Sequence, residues 1–179
     1  MWRPARLADA DVMDNQEIVR LLTELGRALV NRGLQGDMYV VGGAAMALAY
    51  DARRSTRDID AIFEPKLAIY QIATEMALEQ RLPPGWLNDA VKGFLAGPDA
   101  DAAPVLEVPG LRCTAASPRM MLALKVLAHR VGEDEEDVRF LAGHLRLTSA
   151  AEVLDVAQEV FGDRLDPAAE FFVDQLFEP

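Results

Sequence analysis

The chain has 179 residues, of which 51% are hydrophobic and 26% charged, and its net charge at pH 7 is −11. This composition is typical of one globular domain, or of a core domain with a small helical extension, and the chain is long enough to bury a core. No apolar run approaches the roughly 20 residues of a transmembrane helix. The single cysteine, Cys113, excludes an internal disulfide. Because the N-terminus also lacks the apolar segment of a secretory signal, we expect a cytoplasmic protein without a membrane partner.

The charge is unevenly distributed along the chain. Residues 1–66 hold 9 Lys/Arg and 10 Asp/Glu, whereas residues 67–179 hold 9 and 19. This excess of acidic residues argues against broad electrostatic capture of nucleic acid. Arg53, Arg54 and Arg57 are a local basic cluster, which could hold phosphates or RNA; the alternative is that they are solvent-facing charges beside a loop.

In chain order, the first half is predicted to alternate between helices and strands. Asp14 and Glu17 predict the cap that opens the first helix, and Pro65 ends the second strand. The predicted elements are helix 14–33, strand 38–41, an alanine-rich helix over about 42–50, strand 57–63 and helix 66–81.

The second half is predicted to be mainly helical. A short helix begins near Trp86, and two short strands, 105–108 and 111–114, are joined through Pro109-Gly110. Helices then follow that begin at Ser117-Pro118, in the acidic run after Gly132, at Ser149 with Glu152, and at Asp166-Pro167. We therefore predict an α+β fold: a small mixed sheet with flanking helices over residues 1–115, and a C-terminal helical part over 116–179 packed on it as one compact unit.

The segment from Val40 to Phe63 carries the chemistry. An apolar strand runs into Gly42-Gly43, a short helix follows, and the next strand carries Asp58 and Asp60. Side chains two apart on a strand share a face, which sets these carboxylates roughly 7 Å apart. Paired carboxylates beside a glycine turn that opens a helix can hold a divalent metal and a polyphosphate, as nucleotidyl transfer requires. Alternatively, the pair is the polar face of an edge strand and the glycines are a tight turn.

This segment resembles the signature of the polymerase-beta-type nucleotidyltransferase superfamily, in which a glycine pair precedes Asp-x-Asp on the next strand. More narrowly, residues 56–60, together with later helical residues, resemble the AbiEii-like nucleotidyltransferases of bacterial toxin–antitoxin and abortive-infection systems. The helical residues that carry this second resemblance are Lys125, Arg130, Asp134 and Asp137. The resemblance covers residues 15–145 and implies a nucleotidyltransferase-like fold.

The resemblance also implies roles for individual residues. Asp58 and Asp60 would be the catalytic metal ligands, with Mg²⁺ as the cofactor. Lys125 and Asp137 would belong to the catalytic nucleotide site. The residues implied in binding the NTP are Gly42, Gly43, Arg57 and Lys125. The family often has Ser at the second glycine position, so Gly43 removes one hydroxyl contact to phosphate.

Many superfamily members use a third carboxylate from a neighbouring strand as a general base. Glu107 is the only acid within the predicted strand pair, and we expect it to take this role, with Asp89 as the rival. If neither serves, the site has two carboxylates. His129 and His144 have no metal-site spacing with each other or with Cys113, which argues against zinc.

The expected function is transfer of NMP from an NTP such as ATP to an acceptor, either RNA (for instance the 3′ end of a tRNA) or a protein. By resemblance, the protein would be the toxin of a toxin–antitoxin system with a cognate antitoxin as partner. The alternative is a non-catalytic nucleotide-binding or scaffolding relative with the same fold. The intact Asp58–Asp60 pair argues against that alternative, because two like charges side by side are costly to retain in a dead site.

Overall fold

The computed structural model describes residues 12–51, 53–95 and 97–177. The chain divides into two compact units. The first combines the described part of Met1–Gly93 with Ala103–Ala115, and the second combines the described parts of Phe94–Ala102 and Ala116–Pro179. The segment 94–102 thus belongs with the C-terminal helices, although it lies in sequence between two strands of the first unit.

The first unit mixes helices and strands, and the predicted α+β class is confirmed. Its elements are β1 (Met13–Asp14), α1 (Asn15–Asn31), β2 (Gly36–Val41), α2 (Gly42–Ala45), a π-helix (Met46–Tyr50), β3 (Ser55–Thr56), β4 (Ile59–Glu64), α3 (Lys66–Gln80), β5 (Leu87–Asn88), a 3-10 helix (Ala90–Gly93), β6 (Ala103–Val108) and β7 (Leu111–Ala115).

Five of these strands form one mixed sheet in the order β5-β4-β2-β7-β6. The central strand β2 runs antiparallel to β4 and parallel to β7. Strand β5 adds to β4 in the parallel sense, and β6 and β7 form the predicted antiparallel pair. Strands β1 and β3 form a separate two-stranded ladder.

One face of the sheet is buried beneath α1 and α3. A Cβ at Gly36 in β2 would lie 2.9 Å from Leu29 of α1 and 3.3 Å from Ile69 of α3, so both helices press on this face. Leu29 and its apolar neighbours on α1 are fully shielded from solvent. Burying a leucine or isoleucine side chain stabilises a fold by about 1.5–3 kcal/mol, so this stripe is a main source of the unit's stability.

The opposite face, which we call the open face, is only partly covered. Directly paired residues point to the same side of a sheet, and Tyr39 pairs with Ile62 while Val41 pairs with Asp60. Tyr39, Ile62 and Asp60 are all half-buried, and Asp37 at the far end of β2 is exposed. The open face therefore carries Asp60 at one end.

Two predicted elements differ in the structure. The helix expected over 42–50 consists of α2, a single turn, followed by the π-helix, where Asn15 Nδ2 donates to the carbonyl of Ala47 at 2.8 Å. The short helix expected from Trp86 begins instead as β5, because the Ile59 N–H bonds the Trp86 carbonyl at 2.6 Å and draws the segment onto the edge of β4. Only Ala90–Gly93 is helical, as a 3-10 turn.

The second unit is helical within its described residues. Its elements are α4 (Pro118–Ala128), α5 (Glu135–His144), α6 (Ala150–Phe161), a 3-10 turn (Gly162–Arg164) and α7 (Pro167–Phe177). The predicted caps are confirmed: Ser117 accepts from the Met120 N–H at 3.2 Å, and Ser149 forms a capping box with Glu152. Across the described part of the chain, every helix is too short or too polar to cross a lipid bilayer.

Candidate active site

The corner between β2 and α2 lies against Asp60. Strand β2 ends at Val41, which pairs directly with Asp60. Gly42 follows with φ +64°, a left-handed conformation that glycine adopts without steric cost. A Cβ at Gly42 would lie 3.4 Å from Oδ2 of Asp60, so the carboxylate is packed beside bare backbone. The glycine bend and the acidic strand therefore meet.

Asp58 and Asp60 flank Ile59, which is completely buried. Both aspartates are half-buried, so neither points entirely into solvent nor into the core. Asn88 on β5 pairs with Asp60 across the parallel ladder, and its Nδ2 lies 3.4 Å from Oδ2 of Asp58. Asn88 therefore adjoins both aspartates, Asp58 through its side-chain amide and Asp60 through the pairing of their strands.

Gly43 makes room for Thr56. The space that a Cβ at Gly43 would need lies 2.6 Å from Oγ1 of Thr56, closer than real Cβ atoms approach. That hydroxyl donates to the Asp58 carbonyl at 3.0 Å. Thr56 therefore links α2 to the turn that carries Asp58, and this contact explains why position 43 carries no side chain.

The basic cluster beside this corner contains its own counterion. Asp51 accepts from Arg53 Nε at 3.0 Å and lies 3.9 Å from Arg54 Nε. The side-chain and backbone hydrogen bonds from Arg53 hold the pKa of Asp51 below its usual value. Arg57, one residue before Asp58, is exposed. Arg57 thus adds an exposed positive charge next to Asp58 in the chain, whereas Asp51 offsets part of the charge of Arg53 and Arg54.

Glu107 lies outside this site, contrary to the sequence-based expectation. Glu107 pairs with Arg112 of β7, and Arg112 pairs with Asp37 of β2. Asp37 in turn pairs with Glu64, which lies at the opposite end of β4 from Asp60. Three strand spacings and four residues of strand rise separate Glu107 from Asp60 by roughly 20 Å. Glu107 instead lines a separate depression of about 550 Å³ on the open face. The sequence pattern predicts the strand that carries Glu107 but not the order of the strands in the sheet. It therefore could not show that Glu107 lies far from Asp60.

Asp89, the other candidate for the third carboxylate, follows Asn88 in the chain. Its carboxylate is bound by two residues of α3. Tyr70 donates its hydroxyl to Oδ1 at 2.5 Å, and Lys66 Nζ lies 2.5 Å from Oδ2. The hydrogen bonds from Lys66 and then Tyr70 lower the pKa of Asp89. Asp89 therefore anchors β5 to α3.

The acidic site consequently has two carboxylates. Within residues 12–51, 53–95 and 97–177, no group of three or more His, Cys, Asp or Glu side chains could hold a metal together. Mg²⁺ is commonly held by one or two carboxylates, with phosphate oxygens and waters completing the octahedron. The pair formed by Asp58 and Asp60, beside bare glycine backbone, fits this ion.

Lys125 and Asp137, predicted from the resemblance, meet in the second unit. Lys125 Nζ lies 2.8 Å from Asp137 Oδ2 and 2.7 Å from Asp134 Oδ1. Arg130 donates to both carboxylate oxygens of Asp134 at 2.9 Å. Lys125, Asp134 and Asp137 are buried, with 7%, 0% and 8% of their surfaces exposed. We call these four residues the ion cluster; it ties α4 to the start of α5.

The ion cluster keeps Asp134 charged despite its burial. Desolvation acts to raise the pKa of Asp134, but the hydrogen bonds from Arg130 and Lys125 together outweigh it, and the pKa is lowered. Arg130 also forms an ion pair with Asp134, and Lys125 is buried, whereas most helix lysines are exposed to solvent.

Comparison with known proteins agrees with the geometry of the first unit. Residues 8–96, about half of the chain, match a family described as "Nucleotidyltransferase of unknown function (DUF6036)". The N-terminal half of the chain is nucleotidyltransferase-like. The matched residues include the glycine bend, both aspartates and Asn88.

Among solved structures, the chain is similar to an antigenic nucleotidyltransferase-like protein from Paracoccidioides brasiliensis. The TM-score is 0.47 and the identity 17%, over 83% of this chain and 88% of that one. No curated protein matches the sequence at a significant level.

Two residues of the nucleotidyltransferase-like site were missed from the sequence. Thr56 lies in the segment 56–60 that carries the resemblance, but its contact with Gly43 depends on how β3 approaches α2. Asn88 lies on a two-residue strand, too short for alternation to reveal. A polar residue directly after Trp86-Leu87 was the only available signal for Asn88.

Proposed function

We propose that the chain is a metal-dependent nucleotidyltransferase, of the EC 2.7.7 type, that transfers NMP from an NTP to an acceptor. The observation that carries this proposal is the position of the Asp60 carboxylate, packed beside the bare backbone of Gly42 with Asp58 two residues away. Asp60 is paired with Val41 on one side and with Asn88 on the other, so it is not part of the polar face of an edge strand.

Asp58 and Asp60 would hold the Mg²⁺ ion. When bound, this ion would neutralise phosphate charge and lower the pKa of an attacking hydroxyl. Gly42 and Gly43 present no side chain that would keep a triphosphate away from the backbone. Arg57 adds an exposed positive charge next to Asp58 that favours an anionic substrate.

We assign Lys125 and Asp137 to the nucleotide site from the resemblance. The ion cluster supports a fixed position for the Lys125 ammonium, because Asp134 and Asp137 both contact it. An ammonium has three N–H donors, so one remains for a phosphate oxygen after these two contacts. In this role Asp137 orients Lys125.

The acceptor is RNA, such as a tRNA 3′ end, or a protein, and the setting is a cytoplasmic toxin–antitoxin system with a cognate antitoxin. The excess of acidic over basic residues in 67–179 disfavours extensive phosphate contacts and supports a protein acceptor or a small RNA footprint. ATP is the first NTP to test.

A labelling experiment distinguishes an RNA acceptor from a protein acceptor and tests the assignment of the site. Purified protein is incubated with α-³²P-labelled NTP, Mg²⁺ and either total RNA or cell lysate, alongside the Asp60→Asn variant. We expect label on RNA or on protein with the wild type, and its loss with Asp60→Asn. Equal labelling by the folded variant would overturn the assignment of the site.

The alternative is a non-catalytic nucleotide-binding or scaffolding relative. One observation favours it: the strand next to β4 presents the neutral Asn88 opposite Asp60 rather than a third carboxylate. Specific NTP binding without label on RNA, protein or lysate would support this alternative over the enzyme.

A further inference from the structure

The short segment around β5 is fixed by contacts with both α3 and β4. The Trp86 indole N–H donates to the Ala73 carbonyl at 3.0 Å, and the Ile59 N–H bonds the Trp86 carbonyl. After β5, Asp89 is bound by both Lys66 and Tyr70 of α3. These contacts immobilise the backbone on both sides of Asn88.

The amide of Asn88 is itself oriented. Its Oδ1 accepts from the Ala90 N–H at 3.1 Å, which directs Nδ2 away from that turn. Nδ2 lies 3.4 Å from Oδ2 of Asp58, a long contact in which the amide is the donor. The reversed amide would place oxygen against a carboxylate and an N–H against an N–H, so the network selects one orientation.

We propose that Asn88 is a positioning residue of the metal site, which orients the Asp58 carboxylate and occupies the place where a third carboxylate would face the metal. This inference rests on the proposed function, because it assigns Asn88 a role toward the metal ion. Two contacts carry it: the ladder pairing of Asn88 with Asp60 and the amide contact to Asp58. A rigid β5 lets Asn88 transmit its orientation to Asp58.

A neutral side chain at this position has a measurable consequence. Asn88→Asp changes little in size but adds a carboxylate beside Asp58 and Asp60. Without metal, three like charges repel one another and destabilise the fold; with a divalent cation, the added ligand strengthens binding. A residue with a purely structural role would show the first effect without the second.

The experiment measures Mn²⁺ binding to the full chain by electron paramagnetic resonance, in the absence of nucleotide. Relative to wild type, we expect at least tenfold tighter binding for Asn88→Asp and severalfold weaker binding for Asn88→Ala. Thermal unfolding with and without Mn²⁺ gives a second readout, in which Asn88→Asp shows the larger metal-induced rise in Tm. The matched control is Gln71→Glu, the same amide-to-acid exchange at an exposed position of α3.

The outcomes separate this inference from the proposed function. If Asp60→Asn abolishes Mn²⁺ binding while Asn88→Asp binds no more tightly than Gln71→Glu, the role of Asn88 is overturned and the metal site stands. If wild type and Asp60→Asn bind Mn²⁺ alike, the metal site itself is overturned, and the inference with it. Should Asn88→Asp fail to fold, Asn88→Ala decides, and unchanged Mn²⁺ affinity overturns the inference.

Discussion

Thr56 occupies the space that a side chain at position 43 would need, since a Cβ on Gly43 would lie 2.6 Å from its Oγ1 and 2.8 Å from its Cβ. A serine hydroxyl, which the superfamily often places there, is therefore sterically excluded in this chain. The Thr56 hydroxyl is instead committed to the Asp58 carbonyl. The hydrogen bond from Thr56 to the Asp58 carbonyl fixes the turn that leads into β4.

Gly43→Ser should therefore destabilise the first unit. We expect a loss of about 1–3 kcal/mol in the free energy of unfolding, the usual cost of overpacking. Urea unfolding followed by circular dichroism measures it. The double variant Gly43→Ser/Thr56→Gly removes both clashing atoms, so it should lose less than the sum of the two single variants; strict additivity would contradict the contact.

Asp58→Asn and Asp60→Asn should each abolish transfer while leaving the fold intact. We expect kcat to fall at least about 100-fold, which corresponds to about 2.7 kcal/mol of activation free energy. Single-turnover labelling assays measure this effect. Glu107→Gln is the matched control: it removes a carboxylate from the same sheet but from a strand edge far from Asp60, and its kcat should stay within twofold of wild type.

Removing Lys125 should destabilise the second unit strongly. Lys125→Met removes the ammonium that contacts two buried carboxylates, Asp134 and Asp137, and breaking a buried pair in this way costs about 3–5 kcal/mol. Calorimetric unfolding measures the loss. Lys125→Met/Asp137→Leu also removes one of the two buried carboxylates that Lys125 contacts, so it should be more stable than Lys125→Met alone. A double variant with the summed loss of its single variants would show that the two residues are not coupled.

Acid should weaken the ion cluster. The pKa of Asp134 is lowered in the folded state, so its stabilising contribution is complete above the unfolded pKa of about 3.9 and is lost as pH falls below that value. We expect the free energy of unfolding to decline more steeply below about pH 4 in wild type than in Asp134→Asn. Urea titrations at several pH values between about 6 and 2.5 test this, and parallel curves for the two proteins would contradict it.

Gly26→Ala should loosen the contact between α1 and the β6–β7 turn. A Cβ at Gly26 would lie 2.6 Å from the Pro109 carbonyl oxygen, a backbone atom that cannot move alone. We expect a loss of about 1–3 kcal/mol. Gly143→Ala is the control, because nothing lies within 4 Å of its Cβ position on α5, and helix propensity there should raise stability by up to about 1 kcal/mol. Urea unfolding of both variants makes the comparison.

The sequence was sufficient for features that depend on local pattern. The caps at Ser117 and Ser149, the glycine bend, and the strand that carries Asp60 all follow from spacing and residue type. That Lys125 and Asp137 belong to one cluster was expected only from the resemblance, because the eleven residues between them include the end of α4 and a loop.

What the sequence could not supply is the order of strands and the pairing of very short ones. Glu107 was expected at the site because β6 was recognisable as a strand, while its place at the far edge of the sheet was not. Asn88 was missed because a two-residue strand forms through contacts made by Trp86 and Asp89 with distant residues, and those contacts leave no periodic pattern.

The connectivity of the central strand has a consequence for the emergence of the chain from the ribosome. Strand β2 pairs with β4 after a short connection, but its other neighbour, β7, is synthesised some 70 residues later. Local pairing costs less loop entropy than distant pairing, so the antiparallel β2–β4 pair and its aspartates can assemble first. Until Leu111–Ala115 arrives, one backbone edge of β2 stays open to pairing with another nascent chain. We therefore expect slower translation across residues 65–110 to prolong the exposure of this edge.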